Sequence, residues 1–459
     1  MPASRKYFFI FLYFLIAQPA NIYSQITGAE DCYPLKADAY KYSELDKYRF
    51  FLDSVLKINS EETDKKIRKD YKEIISEKNT DLVKELSENN FLFDSSINPY
   101  LNAIFFSIVH KNNLDSHHFH FFVSRSSLTN AYSFDDCSIV CNLGLLNIME
   151  NESQIAMVFC HELAHYLLKH ATKSIIAQLE KYNSPEFISQ IKAIKKEKYN
   201  TKSKLEDLLV QDVFNRKRHH REFEVSADSL GILLYLKTGY NPASIPRLFD
   251  LLNADEEINT RITLGDFFSK EEISVDEKLY NTGNRMTFGK PMSKSISDSL
   301  KTHPDCLKRK QYAIDFLRDI PANGYDFKVG TKEKLADIKK RAFFEQTSYS
   351  KDKKDLGLYL YQLIQGDVKY GQNDLINTNI FNAVVLLTIA RKNHALYTVV
   401  DKPYTIQDDK DEYAKLLRLL DTADLQQLQS IAKAYYNKNK AFIHLDKESS
   451  LNFDKIKQF

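Results

Sequence analysis

Residues 159–165 read Phe159-Cys160-His161-Glu162-Leu163-Ala164-His165. The spacing is H-E-x-x-H, within a run of helical periodicity. Residues four apart on a helix share one face, so His161 and His165 can direct two imidazoles to one point, as a zinc ion requires. Glu162 lies about 100° further round the helix, where its carboxylate can take a proton from a metal-bound water. The stretch predicts a helix that carries a zinc site and a general base.

The residues around this motif predict where the helix begins and how deeply it is buried. Asn151 can cap its first turn, and Gln154 can reach back as in a capping box. The apolar positions are Ile155, Val158, Phe159, Leu163, Tyr166 and Leu167. A core helix with two hydrogen-bonded histidines is the alternative, although burying both imidazoles and a carboxylate is unfavourable unless something pairs them.

Composition limits the class of protein. The chain has 459 residues, 43% of them hydrophobic and 27% charged, with a net charge of +2. Such a balance is typical of a globular protein and gives no reason to expect nucleic acid or an anionic membrane surface as a partner. Twelve glycines and eleven prolines are few for this length and favour helices over a β-sandwich.

The first residues are typical of a secretory signal. Arg5 and Lys6 precede the apolar run 7–17, and small and polar residues follow up to Ser24. Spanning a bilayer takes about 20 apolar residues, so this shorter run predicts a signal peptide at 1–24, cleaved near Ser24. A retained anchor is the alternative. We expect an exported protein, periplasmic or secreted, with no transmembrane span in its mature chain.

The helix that contains His161 and His165 is called the metal helix below. The sequence before it predicts strands. Residues 118–124 and 138–146 have strand character, and 126–134 is turn-like. A strand just ahead of such a helix can accept a peptide as an additional strand. The expected substrate edge consists of Asn130, Ala131, Ser138, Ile139 and Val140. The nearby His117, His118 and His120 alternate along a strand, so we do not expect them to share a metal.

A second helix, around residues 222–236, offers carboxylates. Glu224 and Asp228 are four apart and face one way, so one can bind zinc while the other holds a histidine ligand. Glu222 lies about 200° from Glu224 round the helix and cannot face the same ion. Gly231 shares the face of Glu224, and its missing side chain would let the metal helix approach closely.

The remaining segments predict no second site. The helical pattern continues past Lys169, so His170, five positions after His165, is expected to turn away from the ligand face. The basic run 216–221 lacks interleaved aromatic residues and predicts a solvated helix start rather than a nucleic-acid site. Residues 256–299 are polar, either a lid or an insertion, and 332–459 has helical periodicity throughout.

Several motifs together resemble family 48 of the metallopeptidases, the gluzincin group that includes HtpX-like, Oma-like and CAAX prenyl proteases. The resemblance covers residues 99–316. The matching pieces, in order, are Asn130-Ala131-Tyr132, Gly144-Leu145-Leu146, His161-Glu162-x-x-His165, Glu224-x-x-Ala227-Asp228 with Gly231, Gly239-Tyr240-x-Pro242, and Thr302-His303-Pro304 with Arg309. The chain has Asp135-Asp136-Cys137 where the family often has small glycines.

The resemblance implies a role for each site residue. It implies one zinc ion per chain, bound by His161, His165 and Glu224, with Glu162 as general base. Asp228 would support a ligand from outside the metal's own coordination sphere. His303 would bind the transition-state oxyanion or occupy the open position on zinc.

These observations predict a mainly α protein with a small β-sheet, an α+β fold. We expect a signal peptide at 1–24, a helical lead-in at 25–95, a zinc metallopeptidase domain at 96–330 and a helical C-terminal module at 331–459. The predicted function is zinc-dependent hydrolysis of peptide bonds in exported or envelope proteins. The C-terminal module is expected to hold a protein partner. The alternative is an inactive or chaperone-like zinc-binding protein, but a purely structural site would not need Glu162.

Overall fold

The computed structural model describes residues 65–134, 136–196, 221–256, 263–280, 306–402 and 411–457. The predicted signal peptide, most of the basic run and His303 lie outside these ranges. Elements are numbered below in the order in which they occur in the described ranges.

The described strands form one four-stranded sheet. They are β1 Phe91–Leu92, β2 His120–Ser124, β3 Ala131–Ser133 and β4 Ser138–Asn142, in the spatial order β1-β2-β4-β3. β4 runs parallel to β2 and antiparallel to β3, so both of its edges are paired. The segment predicted to be turn-like contains β3. A strand of only three residues is too short to show an alternating pattern in the sequence.

Helices make up most of the remainder. Those of the first half are α1 Lys65–Ser87, α2 Ile97–Lys111, α3 Leu143–Ile148, α4 Glu152–Leu167, α5 His170–Asn183, α6 Pro185–Lys196, α7 at 221–236 and α8 Ser244–Glu256. Those of the second half are α9 Leu264–Lys270, α10 Cys306–Leu317, α11 Lys332–Asp352, α12 Leu356–Tyr370, α13 Asp374–Lys392, α14 Glu412–Thr422, α15 Leu425–Asn439 and α16 Lys447–Lys457. The predicted mainly α fold with a small sheet is confirmed.

The metal helix α4 begins as predicted and ends earlier than predicted. The Asn151 side chain accepts a hydrogen bond from the Gln154 N–H at 3.0 Å, while the Gln154 side chain accepts from the Glu150 N–H. The helix stops at Leu167 because Lys169 adopts a left-handed conformation, with φ of 55°. The expectation that the helix continues past Lys169 is therefore wrong.

Two large hydrophobic clusters organise the described chain. The first packs α2, α4 and α7 against the sheet, and the second joins α9 to α12–α16. α11 belongs to both, because Leu335 and Ile338 enter the first cluster while Phe343 and Phe344 enter the second. Leu264, Phe267 and Phe268 of the segment predicted to be a lid or an insertion are buried in the second cluster.

None of the described helices combines the length and the apolar character that crossing a membrane requires.

Candidate metal centre

Two helices bring three side chains to one point. α4 supplies His161 and His165, one turn apart, and α7 supplies Glu224. The two histidine Nε2 atoms are 3.0 Å apart, and each lies 3.4 Å from an oxygen of Glu224. This is the one group of at least three metal-ligating side chains that the described residues contain.

The separations of these donor atoms fit zinc. Tetrahedral zinc with bonds of 2.0–2.2 Å places neighbouring ligand atoms about 3.3–3.5 Å apart. The observed 3.0, 3.4 and 3.4 Å are close to that, and three ligands leave one position open. Two imidazoles and one carboxylate are also the donor set of zinc sites that perform hydrolysis.

Asp228 and Arg309 support His161. The Nδ1 atom of His161 lies 3.0 Å from Oδ1 of Asp228, which fixes the ring with Nε2 towards the other ligands. Arg309, on α10, donates to both oxygens of Asp228 at 2.7 and 2.8 Å, and its Nη1 lies 3.3 Å from Glu224. Its guanidinium also covers the ring of Phe249. Arg309 thereby places one positive charge beside two buried carboxylates.

The charges at the site shift two pKa values in opposite directions. Burial alone would raise the pKa of Asp228, but the charge and hydrogen bonds of Arg309 and the hydrogen bond to His161 lower it to about 2. Burial and Arg309 lower the pKa of His161, but hydrogen bonds to Asp228 and Glu224 outweigh them and raise it to about 10. Asp228 is therefore a firm acceptor at neutral pH.

The register of α7 decides which glutamate faces the site. Glu224 is buried and Glu222 is exposed. Gly231 faces the metal helix, and a Cβ atom there would lie only 3.1 Å from the Cα of His161. The close approach predicted for this glycine is therefore present, and it brings Glu224 within reach of both histidines.

Glu162 lies beside a cavity. It is 4% exposed and lines the cavity together with His161, Asn130 and Ala131. The other cavity walls are mostly apolar: Leu145, Met157 and Val158 on one side, and Leu248, Phe249 and Leu252 on α8. An apolar side chain of a ligand would fit in this cavity beside Glu162 and His161.

The substrate edge needs a correction. Ser138, Ile139 and Val140 lie on β4, which is paired on both sides and cannot accept another strand. β3 ends the described sheet instead. Asn142 N–H donates to Asn130 and Phe134 N–H donates to Ser138, so by the alternation of antiparallel ladders Ala131 and Ser133 direct their backbone groups away from β4.

His170 returns to the site because α4 ends. Its Nδ1 atom lies 2.8 Å from Nδ1 of His165, and its Nε2 atom lies 3.1 Å from Oγ of Ser226. Burial, followed by the charges of His165 and Lys173, lowers its pKa to about 4. It is not among the grouped ligands, but the expectation that it turns away from the ligand face is wrong, because that expectation assumed an unbroken helix. The break occurs at Lys169, where no glycine signals it.

The remaining histidine predictions do not add to the site. His117 and His118 lie in a short 3₁₀ turn, and His120 begins β2. None of the three belongs to the metal-ligating group found in the described ranges. The role expected for His303 remains a prediction, because the residue lies outside those ranges.

Comparisons with known proteins agree with this geometry. Residues 95–314 match the family model described as Peptidase family M48. A beta-barrel assembly-enhancing protease of Escherichia coli O157:H7 is 24% identical over 163 residues, 35% of this chain and 33% of that protein. The mitochondrial metalloendopeptidase OMA1 of Arabidopsis thaliana is 26% identical over 139 residues, 28% of this chain and 25% of its own.

The match confirms the resemblance to family 48 of the metallopeptidases. The matched region contains the three grouped ligands, Glu162, Asp228 and Arg309. That family consists of metallopeptidases, which is the enzyme class predicted from the sequence. The alignments span about a third or less of the length of these relatives.

Proposed function

We propose that the chain is a zinc-dependent endopeptidase, with His161, His165 and Glu224 as ligands and Glu162 as general base. The observation that supports it most strongly is the spacing of the three donor atoms, which suits tetrahedral zinc, beside an apolar cavity that His161 and Glu162 line. One zinc ion per chain held there would supply Lewis acidity to a water molecule and to the substrate carbonyl.

The protein's own groups carry the proton and hold the site in place. Glu162 takes a proton from the attacking water and returns it to the leaving amine. Asp228, fixed by Arg309, keeps His161 oriented with Nε2 inward. The apolar cavity walls keep bulk water away, which strengthens the electrostatic interactions at the reacting atoms.

The substrate class we propose is an extended peptide. β3 offers backbone N–H and C=O groups of Ala131 and Ser133 to one additional strand, and pairing to a sheet edge recognises backbone rather than sequence. Glu162 lines the same cavity as Ala131, so a strand docked there passes the general base. In a series of peptides, each methylated at a different backbone nitrogen, affinity should fall for every second position, because alternate residues of an added strand pair with β3.

Replacing the base tests the activity directly. Glu162→Gln should retain zinc and lose cleavage of casein or of a peptide library, because an amide cannot accept the proton. Glu222→Gln is the matched control, as Glu222 is exposed and away from the ligands. Full activity in Glu162→Gln would exclude the base role. No activity of the wild-type chain on any peptide would favour the chaperone-like alternative.

We further propose that the protein is exported and acts on exported or envelope proteins, while the helical module holds a partner. Arg5, Lys6 and the apolar run 7–17 support export. The similarity to a beta-barrel assembly-enhancing protease supports an envelope substrate. N-terminal sequencing of the exported chain should begin near Gln25, and a retained Met1 would indicate an anchor.

The domain limits also remain a proposal. A metallopeptidase domain at 96–330 would contain most of the first hydrophobic cluster and a helical module at 331–459 most of the second, while α9 and α11 pack across that limit. Because α11 enters both clusters, the module would be continuous with the peptidase core rather than tethered by a linker.

A further inference from the structure

His170 and Ser226 form a hydrogen-bonded chain that ends on His165. His165 directs Nε2 to the other ligands, 3.0 Å from His161 Nε2 and 3.4 Å from Glu224. Its other ring nitrogen, Nδ1, lies 2.8 Å from Nδ1 of His170. His170 Nε2 lies 3.1 Å from Ser226 Oγ, which donates to the Phe223 carbonyl at 3.0 Å.

When His165 binds a metal, the donors and acceptors of this hydrogen-bonded series can be arranged in only one way. A histidine that binds through Nε2 carries its proton on Nδ1, so His165 donates to His170. His170 must then accept at Nδ1 and carry its own proton on Nε2, which it donates to Ser226. Ser226 donates its hydroxyl hydrogen bond to the Phe223 carbonyl, where the hydrogen-bonded series ends. Every donor has one acceptor, and every member except His165 belongs to α5 or α7.

Packing holds the His170 ring in the required plane. The ring stacks on Phe223 with centroids 4.4 Å apart and planes 15° from parallel. Phe223, Glu224 and Ser226 are all on α7, so the helix that supplies the third ligand also sets the orientation of the second. His161 is supported differently, by the carboxylate of Asp228.

We propose that His170 is the positioning residue for the ligand His165, and that Ser226 fixes the tautomer of His170. This rests on the proposed function to the extent that the ion is zinc. A neutral imidazole orients His165 without adding a second negative charge beside the ion. The site therefore supports one histidine with an anion and the other with a neutral group.

Zinc affinity of the full chain, measured by competition with a chromophoric chelator, tests the proposal without any need for peptidase activity. His170→Phe retains the ring that stacks on Phe223 but removes the acceptor, so affinity should fall roughly ten- to a hundredfold. His170→Asn should lose markedly less, because an amide oxygen can occupy the place of Nδ1. Ser226→Ala should lose roughly tenfold at most, the lower end of that range, because it acts on His165 only through His170.

A matched control and a double variant separate positioning from packing. Ser229→Ala removes a hydroxyl one turn later on α7, which bonds to Val225 and Tyr312 rather than to a histidine. It should leave zinc affinity unchanged. In the His170→Asn background, Ser226→Ala should have no further effect, because the shorter amide has no atom at the Nε2 position.

Two results would overturn the proposal. One is wild-type affinity in both His170→Phe and Ser226→Ala. The other is an equal loss in His170→Phe and His170→Asn with none in Ser226→Ala, which would indicate a purely steric role. A wild-type chain that binds no zinc would remove both this proposal and the proposed function. If the variants showed the expected zinc affinities but the wild-type protein had no peptidase activity, only the proposed function would be excluded.

Discussion

Glu222 and Glu224 are two positions apart, yet only Glu224 is buried against the histidines. Glu224→Gln should therefore lose most zinc affinity, because a neutral amide is a poor substitute for a carboxylate ligand. Glu222→Gln should bind zinc like the wild type. Chelator competition on both variants measures the difference. The reverse order of affinities would show that the register of α7 is wrong.

Asp228 is not one of the three grouped donors, and its Oδ1 lies 3.0 Å from Nδ1 of His161, the ring nitrogen opposite the other ligands. Asp228→Asn should weaken zinc binding by roughly ten- to a hundredfold, the usual effect of removing such a support. The loss should be smaller than in Glu224→Gln. Equal losses in the two variants would place Asp228 among the ligands.

His161 should lose a proton when zinc binds. Its pKa is raised to about 10 by Asp228 and Glu224 against the effects of burial and Arg309, so it carries a proton at pH 7, whereas a zinc ligand must be neutral. Calorimetric titration in two buffers of different ionisation enthalpy should show at least about one proton released per zinc ion. Asp228→Asn removes one cause of the raised pKa and should release fewer protons. Zinc uptake without proton release would contradict the charge assignment.

The contact between α4 and α7 depends on Gly231. Replacing a helical glycine with alanine normally stabilises a helix by about 1 kcal/mol. At Gly231 the added Cβ would meet the backbone of His161 and Cys160 at 3.1–3.4 Å, so α7 must move and carry Glu224 away. We expect Gly231→Ala to bind zinc about tenfold more weakly, comparable to loss of a supporting residue.

Gly265→Ala on α9 is the matched control, because the nearest atoms to an added Cβ there are 3.7 Å away. That variant should bind zinc normally. If Gly231→Ala also retained full zinc affinity, the close approach of the two helices would not be what positions Glu224.

A buried ion pair joins the segment after β2 to α11. Arg125, after β2, donates to Glu345 of α11 at 2.5 Å, with side chains 5% and 1% exposed. It also contacts Asp352 and stacks on the ring of Tyr349. Arg125→Met leaves a carboxylate buried without its partner and should destabilise the chain by about 3–5 kcal/mol.

Denaturant unfolding measures this effect. Adding Glu345→Leu to Arg125→Met should recover most of the stability, because replacing both partners with apolar groups is often neutral. A double variant as unstable as Arg125→Met alone would show that packing rather than the unpaired charge causes the loss.

The sequence alone determined the features that depend on local spacing. The cap at Asn151, the shared face of His161 and His165 and the choice of Glu224 over Glu222 all follow from a period of 3.6 residues per turn, and the structure has each of them. The mainly α class followed from helical periodicity and from the small number of glycines and prolines. The resemblance to a family depended on short motifs and on their order along the chain, both of which can be read directly from the sequence.

Only the tertiary structure decided which segments meet. Arg309 reaches Asp228 across 81 positions, His170 returns to His165 because α4 breaks at Lys169, and β3 rather than β4 ends the described sheet. The apolar residues of α9 pack with the C-terminal helices. Hydrophobic periodicity specifies which face of an element is buried but not against which partner, because burial is non-directional. The choice of partner is therefore made only when the whole core packs.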